Sequence, residues 1–319
     1  GYDWHAGVIG IVAARVAERY SKPAIMITVD SDGLAHGSGR GVEGFSLFDA
    51  INQCKELLTK FGGHEQAAGI SLREENIDLF REEINKYAEN LEHTVPTLHI
   101  DCRLNPAALT VDLASAIKSL EPFGTKNPAP VFGIWGVTLT RITPIGGGKH
   151  LRILFSKGNN TFSALLFGVS KDRFCFDEGD VLDLAVAVQE NEFKGEVGVS
   201  VIIKAIRMNG TDDDKLFREL FLWDDYLAKK DRDYTPIAPN RQEIGLIYKY
   251  VCQNNVLLDK VRYHFVNSLG IGKTMASIRI LEELGLVIKE NENIIGIKTG
   301  EKTDLEKSRT FLNLQKGGI

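Results

Sequence analysis

The chain has little cysteine. Cys54, Cys102, Cys175 and Cys252 stand far apart in 319 residues, and no two form a Cys-x-x-Cys pair. That spacing excludes a zinc knuckle and a dithiol redox motif, and it predicts reduced, buried thiols in a cytoplasmic protein. No apolar run approaches the ~18 residues of a membrane span, and no secretory leader pattern opens the sequence. A membrane partner is therefore not expected. Neither sign of charge dominates: 38 Lys+Arg stand against 43 Asp+Glu, a net −5. The balance is −6 over residues 1–95, +1 over 96–207 and 0 over 208–319. A basic coat that draws in nucleic acid from a distance is excluded, so any such binding must rest on local patches. A metal cluster is missing too. His5, Asp30, Asp32, His36 and His64 fit no standard ligand spacing, and a solvated turn accounts for the two aspartates, so no metal is expected within this chain.

What is present begins with helical spacing from Gly7 to Tyr20, ended by Pro23. Ala24 to Val29 is a short, β-rich, continuous run, Asp30–Gly33 a turn, and Leu34 to Gly39 a returning strand. Ser46-Leu47-Phe48-Asp49 has the form of a capping box and opens a helix expected to reach about Leu58. Ile70 to Leu72 reads as a strand and Asn76 to Leu91 as a charged amphipathic helix. Alternating helices and strands predict an α/β domain ending near His93.

Between the second helix and that strand lies Phe61-Gly62-Gly63-His64-Glu65-Gln66-Ala67-Ala68-Gly69. Adjacent glycines permit positive φ and converging backbone N–H groups, and His64 places a titratable donor beside them. Two readings stand: a pocket wall for a small anion such as phosphate, in which Gly62, Gly63 and His64 bind, or a tight turn with a capping histidine. Two nucleotide motifs fail. Gly39-x-Gly41-x-x-Gly44 does not leave a buried strand directly, and Glu43 would put a carboxylate in the phosphate loop. Gly272-Lys273-Thr274 lacks the earlier glycine of a Walker loop, since position 267 is Asn267.

Three motifs carry a resemblance. Trp4-His5-Ala6-Gly7-Val8-Ile9-Gly10, then Gly37-Ser38-Gly39-Arg40, then Gly62-Gly63-His64-x-x-Ala67-Ala68-Gly69 resemble, in order and spacing, the accessory domain of the RecJ family of single-strand-specific DNA exonucleases. The last motif alone is shared by the wider DHH phosphoesterase superfamily. The resemblance covers residues 1–207. It implies a portion that follows a catalytic domain holding two divalent metals, Mn or Mg, whose ligands are not among these residues. It also implies that Ser38 and Arg40 grip the 5′-terminal phosphate while His64 faces the metal centre as a catalytic residue. Arg suits bidentate phosphate contact, and a two-residue spacing on a strand sets Ser38 and Arg40 on one face. The family's serine after that arginine is Gly41 here.

In the middle of the chain, Leu98 to Leu104 alternates as a half-buried strand, and Val111 to Leu120 reads as a helix. Strands are expected near 131–143, 150–156, 161–168, 181–190 and 196–207. Five short strands predict a small barrel of the OB kind, and the RecJ resemblance implies one here. Lys149, His150, Arg152 and Lys157 sit on one hairpin, with Lys171 and Arg173 on a nearby loop; these make a candidate basic groove for single strands. Phe155, Phe162 and Phe174 either stack bases or fill the barrel, and each one singly fits the barrel better.

Thr211 to Asp214 reads as an acidic linker. After it come helical patterns at 216–228, 241–252, 257–265 and 273–284, and a hairpin at 286–297. The last three helices and the hairpin predict a winged helix. Lys273, Thr274, Ser277 and Arg279 would lie on its third helix, like a DNA-reading helix. Modest charge, with Glu282 and Glu283 on the same helix, favours protein docking slightly.

The resulting expectation is a multidomain α/β + β chain. Residues 1–95 form a DHH-associated α/β domain, 96–210 an OB-fold and 211–319 a winged-helix-like domain. Its function is the C-terminal part of a monomeric, cytoplasmic 5′→3′ single-stranded-DNA exonuclease of repair and recombination. Single-stranded DNA is the partner, and other repair proteins would dock on the C-terminal domain. The alternatives are a phosphodiesterase of nanoRNA or cyclic dinucleotides, and a stand-alone single-strand-binding module.

Overall fold

The computed structural model describes residues 1, 4–20, 22–89, 97–124, 126–193, 195–253, 256–300 and 302–318, in two compact units, Gly1–Leu98 and His99–Ile319.

In the first unit, α1 (Ala6–Tyr20) covers one face of a four-stranded antiparallel sheet. The strands are β1 (Ala24–Val29), β2 (Leu34–Arg40), β3 (Leu58–His64) and β4 (Ala67–Arg73), in the order β1-β2-β4-β3. Ile9, Ala13 and Ala17 recur at i, i+4 and i+8 on α1 and are buried, which gives the helix a single inward stripe. The other face carries α2 (Leu47–Gln53) and α3 (Ile77–Glu89). Leu47, Ile51 and Phe80 from these helices pack with Ala35, Ala68, Ile70 and Leu72 of the sheet. Ser46 caps α2 as its capping box predicts, its hydroxyl accepting from the Asp49 N–H at 3.2 Å. Asp30 turns the β1–β2 hairpin, Oδ1 accepting from the Asp32 and Leu34 N–H groups.

Two expectations change here. The second helix stops at Gln53, passes through a 3-10 turn at Lys55–Leu57 and becomes β3 at Leu58. Leu58 and Phe61 pair with β4 and pack on the core, a tertiary gain that overrides the helix-forming residues around them. Gly62-Gly63-His64 is consequently not a turn. It lies in β3, and the chain reverses at Glu65-Gln66. Gly63 sits at φ 151°, where a Cβ would run into the Ala67 carbonyl. Its glycine is needed for packing rather than for a nest of N–H groups. Leu91 and the boundary near His93 lie outside the described residues.

In the second unit, β6 (Phe132–Ile145), β7 (His150–Lys157), β8 (Asn160–Leu166), β9 (Val181–Phe193) and β10 (Glu196–Met208) follow β5 (Cys102–Arg103) and α4 (Val111–Lys118). The order β6-β7-β8-β10-β9, with β6 pairing back to β9, closes a five-stranded barrel in which β8 and β10 are parallel. Closure leaves no free edge among these strands. All five strand expectations hold to within a few residues. The strand expected at Leu98 to Leu104 shrinks to Cys102–Arg103, paired with Phe132 and Gly133. Cys102 is exposed, against expectation, while Cys54 is buried and all four thiols are free.

After the barrel come α5 (Asp213–Leu227), α6 (Arg241–Gln253), β11 (Val256–Leu257), α7 (Leu258–Phe265), α8 (Ile271–Glu283), β12 (Val287–Glu290), β13 (Asn293–Gly296) and α9 (Arg309–Gln315). The last three strands form a sheet ordered β11-β13-β12. The expected linker is instead the start of α5. Asp212 accepts from the Lys215 N–H as N-cap, and Arg207 ties Asp213 to the buried Asp183. Further bonds join barrel to helices. Lys260 reaches Asp177, Tyr263 packs on Phe176 with ring centroids 4.8 Å apart, and Asn267 donates to the Asn209 carbonyl. Burial pushes the Cys175 thiol up to about 11, with Asp259 adding to it; a thiol so held is a packing group, not a nucleophile.

The buried Glu219 of α5 accepts from the Gly272 N–H at 3.0 Å and so caps α8 from another helix. Glu219→Ala leaves that donor buried and unmatched. It is expected to cost about 1–3 kcal/mol, read as a lowered urea midpoint.

Candidate nucleic-acid interface

Paired residues of antiparallel strands share a face, so the registers place each side chain of the first unit's sheet. Arg40 pairs with Ala67 and Ala67 with His64; Ser38 pairs with Gly69 and Gly69 with Gly62; His36 pairs with Ser71 and Ser71 with Lys60. These three rows share the face on which α1 lies. Gly10 of α1 is so close that a Cβ there would meet Ser38 Oγ at 2.9 Å and Arg40 Nη2 at 3.0 Å. The helix shields β1 and β2, while Gly62, His64, Gly69 and Lys60 stay exposed. The result is a shallow floor of glycines walled by Arg40 and His64. Arg40 is held in place: Nη1 donates to Ser38 Oγ at 3.2 Å and to the Gly39 carbonyl at 2.8 Å. His64 is held by the Gln66 N–H, which donates to Nδ1 at 3.3 Å. Of the predicted site residues, Ser38, Arg40, Gly62 and His64 therefore share one face, the first two half-buried under α1 and the last two exposed. Gly63 pairs with the buried Ala68 and points to the opposite side.

A guanidinium fixed beside a bare backbone can take a phosphate without a side chain in the way. Among the described residues no three His, Cys, Asp or Glu side chains come together as a metal site.

On the barrel, the alternation of β7 and β8 separates two sets of residues. Leu151, Ile153 and Phe155 point inward with Phe162 and Ala164. Phe155 and Phe162 stack inside at a centroid distance of 5.6 Å, and Phe174 is buried beside Phe176. The base-stacking reading of these three rings is overturned: they are core. The outward set is His150, Arg152, Leu154, Ser163 and Leu165, with Thr143 and Arg141 opposite on β6. Lys149 and Arg152 are exposed as expected. Lys157 lies an odd number of residues from Arg152 and turns the other way, its Nζ donating to the Trp135 carbonyl. Arg173 is paired with Glu292 in the β12–β13 turn. Neither belongs to the open basic face.

Sequence reasoning missed Arg141 and Phe167. Phe167 is 50% exposed and meets the His150 ring edge-on at 5.1 Å, and the Gly168 N–H donates to His150 Nδ1. Phe167 lies in the turn just after β8, so strand alternation does not place it, and no local signal marked it.

The third helix of the C-terminal group is not a reading helix. Thr274 and Ser277 of α8 are fully buried, Lys273 bonds Glu243 at 2.7 Å, and Arg279 lies against Glu282 and Glu283. Glu283 in turn receives Ser308 Oγ and the Thr310 N–H and Oγ1. Despite burial, these bonds keep its carboxyl below the usual carboxylate range. Its task is to hold α9.

The family described as the DHHA1 domain matches residues 1–90, and that described as the RecJ OB domain matches 100–205. The single-stranded-DNA-specific exonuclease RecJ of Escherichia coli (strain K12) is 30% identical over 214 residues, 64% of this chain and 37% of that protein. The same-named protein of Bacillus subtilis (strain 168) is 29% identical over 206 residues, 63% of this chain and 26% of that protein. A crystal structure of RecJ with Mg2+ from Thermus thermophilus superposes with a TM-score of 0.52 at 27% identity, over 65% of this chain and 32% of that one. The chain thus spans about a third of the length of these relatives. A DHHA1 domain match is thus followed by a RecJ OB domain match, and over that portion the chain is similar to RecJ exonucleases.

Proposed function

We propose that this chain is the part of a 5′→3′ single-stranded-DNA exonuclease that grips the 5′-phosphate and guides the strand, with hydrolysis at a two-metal centre carried by the rest of the protein. The observation that carries the reading is the convergence of Ser38, Arg40, Gly62, Gly69 and His64 on one sheet face. Ser38 and Arg40 take the terminal phosphate, and His64 faces the reacting phosphate. The RecJ relative from Thermus thermophilus was crystallised with Mg2+, which fits Mg or Mn as the metal of that centre.

The outer face of β6, β7 and β8 then receives the strand, with Arg141, Lys149 and Arg152 on phosphates and Phe167 on a base. A dinucleotide phosphodiesterase would have no use for this second surface. Residues 1–95, 96–210 and 211–319 are read as three functional domains of a monomeric, cytoplasmic repair and recombination enzyme. We read α6-β11-α7-α8-β12-β13 as a winged helix, a reading supported by three helices followed by a β12–β13 hairpin. With α8 buried, this module suits docking of another repair protein better than DNA reading.

The test is a titration of the chain with unstructured single strands and with duplex across several salt concentrations. Single strands should bind more tightly. Three engaged cations give a log K against log salt slope of roughly −2. Arg152→Glu should flatten that slope, and Arg173→Ala should leave it unmoved. Equal duplex affinity, or a slope indifferent to Arg152, would refute the barrel assignment.

A further inference from the structure

One large ring on the barrel has no role so far. Trp135 follows Ile134 on β6, and Ile134 is fully buried inside the barrel. The side chain of Trp135 is therefore on the outer wall, where it is half-buried. Gly133, two positions earlier, shares that side. A Cβ there would stand 1.8 Å from the Trp135 benzo ring, so the indole fills the space of the missing side chain and lies back along the strand. Arg103 of β5 pairs with Gly133, which sets its guanidinium beside the ring, with Cζ 5.7 Å from the ring centroid. Arg103 is exposed. Asp101, two residues earlier, is engaged elsewhere: its carboxylate accepts from the Val131 N–H at 2.8 Å and faces His99. A second cation comes from β7, where Lys157 Nζ donates to the Trp135 carbonyl.

We infer that Trp135 and Arg103 form a second base-stacking platform, which takes a nucleobase of the single strand beyond the face of β6, β7 and β8; the inference rests on the proposed strand-binding role of that face. The first support is chemistry. An indole beside a guanidinium offers planar surface to a base and a charge to its phosphate, whatever the sequence. The second is reach. Trp135 and Arg141 stand on one strand, about 20 Å apart at the usual rise, a span that an extended single strand crosses in a few nucleotides. The third is the track between them. Val137 and Leu139 turn inward and are fully buried. What β6 leaves on that stretch is Gly136, Thr138 and Thr140, none of them bulky or charged. Asp183 of β9, the carboxylate bonded to the Gly136 N–H, is buried and also takes Asn209 Nδ2 and Arg207 Nε. Its charge is met there, and it does not repel a passing phosphate.

The probe is a 5′-hydroxyl oligothymidylate of about twenty nucleotides, longer than the site of one OB-fold, titrated into the chain carrying Trp4→Phe. Of the two tryptophans then left, Trp223 is buried, so Trp135 reports contact. Its emission should be quenched at saturation. A strand of the same length without bases should bind more weakly and leave the emission unchanged. Trp135→Ala should weaken thymidylate binding about tenfold, as for one stacked base lost, and Trp135→Phe should keep most of the affinity. Arg103→Ala lies outside the core and should cost about fivefold, as for one exposed ion pair, with no change in melting temperature. Phe167→Ala should weaken binding and leave the quench at saturation as it was. A strand that binds, by anisotropy of a 3′ dye, without quenching Trp135 would overturn the platform and leave the β6–β8 face standing. An abasic strand that quenches equally, or full affinity in both Arg103→Ala and Trp135→Ala, would do the same. No binding of thymidylate by the chain would overturn the underlying reading, and the platform with it.

Discussion

Arg40→Ala should weaken binding of a 5′-phosphorylated single strand by roughly thirtyfold, about 2 kcal/mol, and leave binding of the matching 5′-hydroxyl strand almost unchanged. The guanidinium is already fixed by Ser38 Oγ and the Gly39 carbonyl. Little ordering entropy remains to be lost when phosphate arrives, so the bare charge-assisted bond is felt nearly in full. Ser38→Ala should cost less, because the Gly39 carbonyl still holds Arg40. In a whole RecJ-type enzyme carrying this chain, His64→Ala should lower turnover more than affinity, since His64 stands across the glycine floor from the grip. Paired titrations with phosphorylated and hydroxyl ends decide the first point. Equal loss on both ends would mean that Arg40 serves the fold rather than the phosphate.

A larger effect, on stability, is expected from Phe155→Ala. Phe155 is fully buried against Phe162 in the barrel, and removing a core phenyl ring costs about 3–5 kcal/mol through lost transfer energy and the cavity left behind. The second unit should melt many degrees lower. Phe167→Ala is the contrasting case. Its exposed ring should be lost with little change in melting temperature, while single-strand affinity falls by about 1–3 kcal/mol if one base stacks there. Thermal melts and strand titrations of the two variants form a crossed test. Binding lost without destabilisation in Phe155→Ala would put that ring on the DNA after all.

Much of this architecture was legible in local patterns. The period-2 runs of β6 to β10 set the barrel, and Ser46 marked its helix start because a cap is a short-range bond. Pairing was less legible. Nothing local told Leu58 to leave helix for strand, since that choice depends on β4 across the hairpin. The Gly62-Gly63 pair looked like a turn because glycine permits turns, yet here it serves a flat strand. Alternation also carried more than was drawn from it, since the parity that buries Phe155 turns Lys157 away from Arg152. The pairing of Arg173 with Glu292, 119 positions away, has no local signature. The same holds for Glu219, which caps a helix 53 positions away.

The close approach of Gly10 to Ser38 and Arg40 restricts the order in which this sequence can drift. While the arginine stays, any side chain at position 10 must displace either the helix or the guanidinium, so a substitution there is penalised first through ligand affinity. Once a shorter residue replaces Arg40, the Ser38 hydroxyl loses the bond that holds it and can rotate aside, and position 10 becomes free to vary. The two positions, thirty apart in the chain, are thus expected to change as a linked pair, and reversion of the arginine alone would be blocked in a lineage that had already filled the gap.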